Sequence, residues 1–421
     1  MNIRNAPAGT IRAALRHRGF RWLLAGMAVS QLGDWLYNVA LIVLVYDRTH
    51  SPMWAGITTA ARMFPFVAFG PLGGAIADRF DRRTVMIVCD LARMVLMLLL
   101  AVVAAARLPI VLAPLIAALA TVAATPYMPS ASAVTPRLVP DADLPGANAA
   151  RSATVGLGIV AGPALGGLLL LLGAPAFAFL VNGFTFGFSA LCVPAIGAAA
   201  IFRPARQAGP HAGLLRGIAA GAAALRANPA ALRVTGADVM SSIQYGSQTV
   251  LLLAVARRLG MGADGYGYLF ASMGVGGLIG TGLAGRAARC PHPRYVLAAA
   301  LVALGLPMPL LAVIGWPALA IAVMAFCGVG SMLIEVTMET CLQRTLDEEV
   351  FGRAYGLALP ASLAGILAGS LIGPALSEAV GTSGALVIIG CAVIGYAAVV
   401  LQKARVPGVV PRPVPVTVAS K

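Results

Sequence analysis

An all-α membrane protein, with twelve transmembrane helices in two pseudo-symmetric six-helix bundles, is the fold this sequence predicts, and three observations predict it. Of the 421 residues, 59% are apolar and 11% charged, which is too apolar for a soluble chain. The apolar residues fall into twelve stretches of about 20 or more, each long enough as a helix to cross roughly 30 Å of hydrocarbon. Short patterns also recur in order on either side of the midpoint. Gly162, Pro163, Ala164 and Leu165 return as Gly373, Pro374, Ala375 and Leu376, and residues 137–146 resemble residues 344–352.

Taken in order, residues 1–19 form a basic amphipathic lead-in carrying Arg4, Arg12, Arg16 and Arg18, suited to a membrane surface. The first apolar stretch is long and has no small-residue cleavage site, so it is expected to remain as a span. The predicted spans are 20–46, 53–77, 84–106, 109–135, 148–172 and 175–198, then 234–257, 265–286, 294–314, 317–342, 354–376 and 383–403. Between the two sets lies an Arg-, Pro- and Ala-rich connection, 199–233. Leu214, Ile218, Ala222 and Leu225 share a helical face within it, which predicts an interfacial helix ending at Asn228 and Pro229. The expected units are therefore an N-terminal bundle (1–198), a cytoplasmic linker (199–233), a C-terminal bundle (234–405) and a disordered cytoplasmic tail (406–421).

Charge sets the orientation. With the N-terminus in the cytoplasm, 24 of the 30 Lys and Arg fall in cytoplasmic segments or at their helix ends. The positive-inside rule then places both termini in the cytoplasm and the protein in the inner membrane. It also accounts for the net charge of +15 without nucleic acid as a partner. The six cysteines lie in apolar segments without paired or metal-like spacing, and the four histidines fall in loops. No phosphate-cradling Gly-Lys-Ser/Thr loop is present, so no enzyme, no ATP-driven pump, no cofactor and no metal are expected.

The densest charge cluster joins the second and third spans, where Asp78, Arg79, Asp81, Arg82 and Arg83 follow Gly74. Each of these charges would cost roughly 2.5–3.5 kcal/mol in mid-membrane, so the cluster sits in water. Asp78 ends a helix whose dipole disfavours a carboxylate there. It therefore needs Arg79, Arg82, Arg83 or a neighbouring helix N-terminus, and Gly74 would let such a neighbour approach. A conformation-dependent latch and a plain positive-inside loop both fit this pattern.

The run from Gly74 to Arg83 resembles the signature loop of the major facilitator superfamily of secondary transporters, departing from it at Asp81, where most members have Gly. The Asp-Arg-Phe-Asp-Arg-Arg form is similar to the branch holding siderophore and macrolide exporters. The resemblance implies a substrate site between the bundles and access that alternates between the two membrane faces. In the fifth span Gly158, Gly162, Pro163, Gly166 and Gly167 resemble the antiporter signature of that superfamily, with Ala149 at the further upstream glycine position. The spacing of four gives a smooth face for close helix contact, which any tightly packed membrane helix also uses. The fourth span lacks the intramembrane Arg of many proton-coupled drug exporters, which points toward the siderophore and macrolide branch.

Ionisable groups at membrane depth are the candidates for chemistry. Asp34, in the middle of the first span, reads as a proton carrier or a cation-recognition group, as the partner of Arg62 in the second, or as a carboxylate that exchanges Arg62 for a proton. Glu335 and Glu339, four apart in the tenth span, share a face and would raise each other's proton affinity, making a candidate proton carrier or a site for a cationic substrate, or else meet water or Arg344. Asp90 and Arg93 in the third span, and Asp238 in the seventh, read as packing and salt-bridge groups. Tyr37, Asn38, Arg62, Gln244, Tyr245 and Gln248 are the candidate cavity lining, suited to an amphipathic organic substrate. The expectation is a monomeric secondary transporter exporting a small amphipathic molecule by proton antiport, its partners being that substrate, protons and the lipid bilayer. An importer or lipid flippase of the same fold, and a receptor or scaffold without flux, are the alternatives.

Overall fold

The computed structural model describes residue 7 and residues 9–172, 175–197, 199–203, 223, 226–262, 264–287, 290, 292–345 and 348–402, and no strand occurs among them. Its main helices are α1 (Arg18–Thr49), α2 (Pro52–Arg79), α3 (Arg82–Ala105), α4 (Leu112–Ala124), α5 (Tyr127–Val134), α6 (Leu144–Leu172) and α7 (Pro175–Ala195). There follow α8 (Pro229–Arg258), α9 (Asp264–Ala287), α10 (Pro293–Gly305), α11 (Pro307–Val313), α12 (Pro317–Thr345) and α13 (Glu348–Leu401). Every predicted span overlaps one of them. Among the described residues nine helical stretches have the length and apolarity to cross a membrane, or ten with the pair that bends by 54° at Gly70 and Leu72 counted as one span. The linker positions Leu214, Ile218, Ala222 and Leu225 and the tail 406–421 lie outside the described residues.

The breaks have local causes. The fourth predicted span divides at Pro126 and the ninth at Pro307, because proline removes a ladder donor and crowds the turn before it. The last two predicted spans are the arms of α13, which turns at Gly381, where φ is 76°. That positive-φ, extended conformation is open to glycine at little cost.

Large apolar side chains stand on the outer surface, Leu191 being 77% and Val313 81% exposed, as suits a wall that meets lipid. Since lipid is as apolar as the side chains, helices associate through close packing at small residues. The two halves repeat one seam. Gly158 and Gly162 of α6 back onto Gln31 and Trp35 of α1, and Gly369 and Gly373 of α13 back onto Ile243 and Ser247 of α8. The four glycine contacts match pairwise at offsets of 211 residues on one side and 212 on the other, so the internal repeat seen in the sequence extends to side-chain packing.

Across the halves α6 meets α9 and α2 meets α13. A side chain added at Gly267 would strike the Pro163 carbonyl, and one added at Gly56 the Ser370 carbonyl. An Asp47–Arg257 ion pair ties α1 to α8 at the same end, with the guanidinium 4.7 Å from the Tyr46 ring. Past the bend in α2, nothing lies within 4 Å of the Gly74 Cβ position. Gly70 and Gly156 are equally open. The halves therefore meet at the Asp47–Arg257 end and part toward the loop that holds Asp78. Gly74 thus has no close neighbour in this state, while Gly73 packs against the Thr125 backbone.

Candidate functional site

Between the halves lies a cavity of about 320 Å³, walled by α1, α2, α3, α4, α7, α8 and α13. Tyr37, Asn38, Arg62 and Tyr245 line it, and so does Asp34. The size falls within the range of small-molecule sites.

The ion pairing differs from expectation. Asp34 accepts a hydrogen bond from Arg93 of α3 at 2.5 Å, while Arg62 donates to the Asn38 side-chain oxygen. Asp34 and Asn38 are one turn apart on α1, so α2 reaches the later position and α3 the earlier one. Arg93 is further held over the Phe186 ring, 3.8 Å from its centroid, and Arg62 over Tyr37 at 5.0 Å. Asp90, expected to pair with Arg93, is fully buried, and neither of its oxygens has a partner in hydrogen-bond geometry. The Ser189 hydroxyl beside it is in contact with the Tyr127 hydroxyl, 3.2 Å away.

Gln244 and Gln248 do not line this cavity. Both are fully buried inside the C-terminal half, where Gln244 donates to the Leu304 carbonyl at 2.7 Å and Gln248 to the Cys327 sulfur at 3.2 Å. A membrane-buried amide must find an acceptor, and the turn before Pro307 supplies a carbonyl. Glu335 lines a separate cavity of about 240 Å³ together with Asp238, Ser241 and Ser331. Asp238 accepts from the Ser362 hydroxyl, and both cavities border on Tyr245 and Ile366. The Glu339 side chain lies outside the described residues.

At the charged loop Asp78 faces Arg82 at 3.8 Å, one of the partners expected of it, and Arg82 also donates to the Ala77 carbonyl at 3.3 Å. Asp81 caps α3, accepting from the Thr84 amide at 3.1 Å, which gives the residue at the departing position a structural task. Arg79 is exposed and Arg83 half-buried. In α6 the face of Gly158, Gly162 and Gly166 packs on α1, whereas Pro163 and Gly167 turn toward Gly267 of α9. One glycine-rich segment thus serves the inner seam of its own half and the contact between halves.

Sequence reasoning missed Arg93, Trp35, Phe66 and Phe186 as cavity residues. For Arg93 the signal was present, since it is as deep in its span as Arg62. Among the described residues no cluster of His, Cys, Asp and Glu is arranged to hold a metal ion.

Residues 9–411 match the family model of transmembrane secretion effectors of the major facilitator type. The chain belongs to this family. It is 26% identical to the MFS-type transporter YfiS of Bacillus subtilis (strain 168) over 385 residues, 90% of this chain and 91% of that one. It is 27% identical over 348 residues to the enterobactin exporter EntS of Escherichia coli O1:K1 / APEC, covering 80% of each chain. A shorter match, 28% over 151 residues, joins it to macrolide efflux protein A of Streptococcus pyogenes, covering 36% of this chain and 37% of that one. The fold is similar to that of the nucleoside transporter NupG, with a TM-score of 0.73 at 13% identity over 90% of this chain and 98% of that one. This family member is a multi-pass membrane transporter with efflux-type relatives, not an enzyme.

Proposed function

We propose that the protein exports a small amphipathic organic compound in exchange for protons, the two halves rocking about the central cavity. The observation that carries this reading is the Asp34–Arg93 ion pair on the wall of a cavity between the halves. Protonating Asp34 would release Arg93 and loosen the α1–α3 contact, so proton and substrate compete for one arrangement of charges. The efflux names of the relatives favour export. The opening of the halves toward the basic loop end, cytoplasmic by the positive-inside rule, fits a state that accepts cargo from inside.

The test begins with a deletion strain screened for sensitivity to amphipathic compounds, and the hit is followed in inverted vesicles. An acidic interior should drive the compound inward through the native protein, while Asp34→Asn folds and loses that response. Unaltered gradient-driven movement in the variant removes Asp34 from coupling. Movement out of the vesicles reverses the direction.

A further inference from the structure

Resting on the export reading above, we propose that the cavity selects amphipathic organic anions, a carboxylate or phenolate on an aromatic or apolar body, and that Arg62 receives the anionic end. Three charged side chains line the cavity: Asp34, Arg62 and Arg93. Two of them cancel, because Arg93 is committed to Asp34 at 2.5 Å and is held over Phe186. Arg62 is left over. Among the described residues no carboxylate lies within ion-pair distance of it. Its contacts are the neutral Asn38 side-chain oxygen and the Tyr37 face, and its buried Nε has no acceptor.

A guanidinium carries five donors, and one bond to a neutral amide leaves most of them, and the whole charge, unanswered by any protein carboxylate. The planar fork is the shape that takes a carboxylate with two parallel hydrogen bonds. Around it Trp35, Phe66, Tyr245 and Ile366 offer apolar and aromatic surface for the rest of the molecule. An ammonium group entering here would meet an unpaired cation and a carboxylate already engaged. Asp238 and Glu335 lie in the separate cavity past Tyr245, and neither is within ion-pair distance of Arg62.

The probes are three naphthalenes of one shape and different charge: 1-naphthoate, 1-naphthalenemethanol and 1-naphthylmethylammonium. Equilibrium dialysis against the detergent-solubilised full chain reads their binding, with empty micelles subtracting partition. The expected result is naphthoate binding at least about tenfold tighter than the ammonium. Arg62→Gln should weaken naphthoate about tenfold and leave the alcohol within about twofold, and Arg62→Lys should recover part of the loss. Equal or tighter ammonium binding, no saturable naphthoate binding to the native protein, or an unchanged naphthoate Kd in folded Arg62→Gln would each overturn the proposal. Should Arg62→Gln not fold, the three probes on the native protein and on Arg62→Lys decide. Dialysis reads neither flux nor gradient. A naphthoate preference beside gradient-independent flux would therefore uphold the anion site and overturn proton-coupled export, whereas loss of the preference overturns the anion site alone.

Discussion

Removing either member of the Asp34–Arg93 pair leaves its partner charged in a wall with little water to solvate it. A fully buried pair broken from one side costs about 3–5 kcal/mol. Asp34 keeps 30% of its side chain exposed, so Arg93→Gln is expected to cost less, about 2–4 kcal/mol. The double variant Asp34→Asn/Arg93→Gln should recover part of that loss, because both charges of the pair are gone, although buried Asp90 loses the cation nearest to it. Thermal melts of the purified variants check both, and a double variant no better than Arg93→Gln would rule out a charge-balance account. Asp90 behaves differently: neither oxygen has a partner in hydrogen-bond geometry and only the Ser189 hydroxyl and the Arg93 charge lie nearby, so Asp90→Asn should change the melting temperature little. A loss above about 2 kcal/mol would show that the carboxyl is satisfied in the folded protein. The depth rule made Asp34 and Arg62 legible because charge in hydrocarbon is conspicuous in any one sequence. It did not assign their partners. Asp90 sits three residues before Arg93 and invites pairing along one helix, whereas the observed bond crosses to α1, and such a direction is set only by how helices face one another. Gln244 and Gln248 misled for the same reason, since polarity announces a need for a partner and not where that partner is.

Close seams, not cavities, set the tolerance of each helix to change. In the α9–α12 contact a side chain at Gly276 would overlap the Ala325 carbonyl and one at Gly328 the Met273 carbonyl, so both helices present backbone to backbone. Gly328→Ala is expected to destabilise by about 1–3 kcal/mol, because backbone cannot yield as a side-chain tip can. Gly74→Ala meets nothing within 4 Å and should change stability by less than about 0.5 kcal/mol. Melting temperatures of the two variants side by side test the contrast, and similar values would mean that the α9–α12 seam is looser than described. The spacing-four glycines of α6 were legible because their period marks a face. That Pro163 and Gly167 serve a second contact, to the other half, was not, since one helix sequence holds no information on how many neighbours surround it.

For the molecule as a whole, the all-helical membrane-spanning class and the internal repeat could be read in advance, while the state in which the halves rest could not. Touching at one end and parting at the other differ by a rotation that leaves most contacts within each half intact, so composition and period do not encode it. The Asp47–Arg257 pair is the one ion pair among the described residues that joins the halves, and each side chain is more than a third exposed. An exposed pair contributes only about 0–1 kcal/mol, so Asp47→Asn should barely move the melting temperature. The same small energy acts directly on an equilibrium between conformations, where about 1 kcal/mol shifts a ratio roughly fivefold. Locking the contact is therefore more informative than weakening it. Asp47→Cys/Arg257→Cys is made in a background where Cys290, Cys341 and Cys391, which are at least partly exposed, are replaced by Ser. It is then treated with a short bis-methanethiosulfonate that dithiothreitol removes. Cross-linked protein should lose flux of the compound found in the sensitivity screen and regain it on reduction. In a separate Gly74→Cys variant without the cross-linking pair, the thiol should react readily with a water-soluble maleimide, because that end is already open. Full flux through the cross-linked protein would mean that the Asp47–Arg257 end never needs to separate, and rocking between two faces would have to be abandoned.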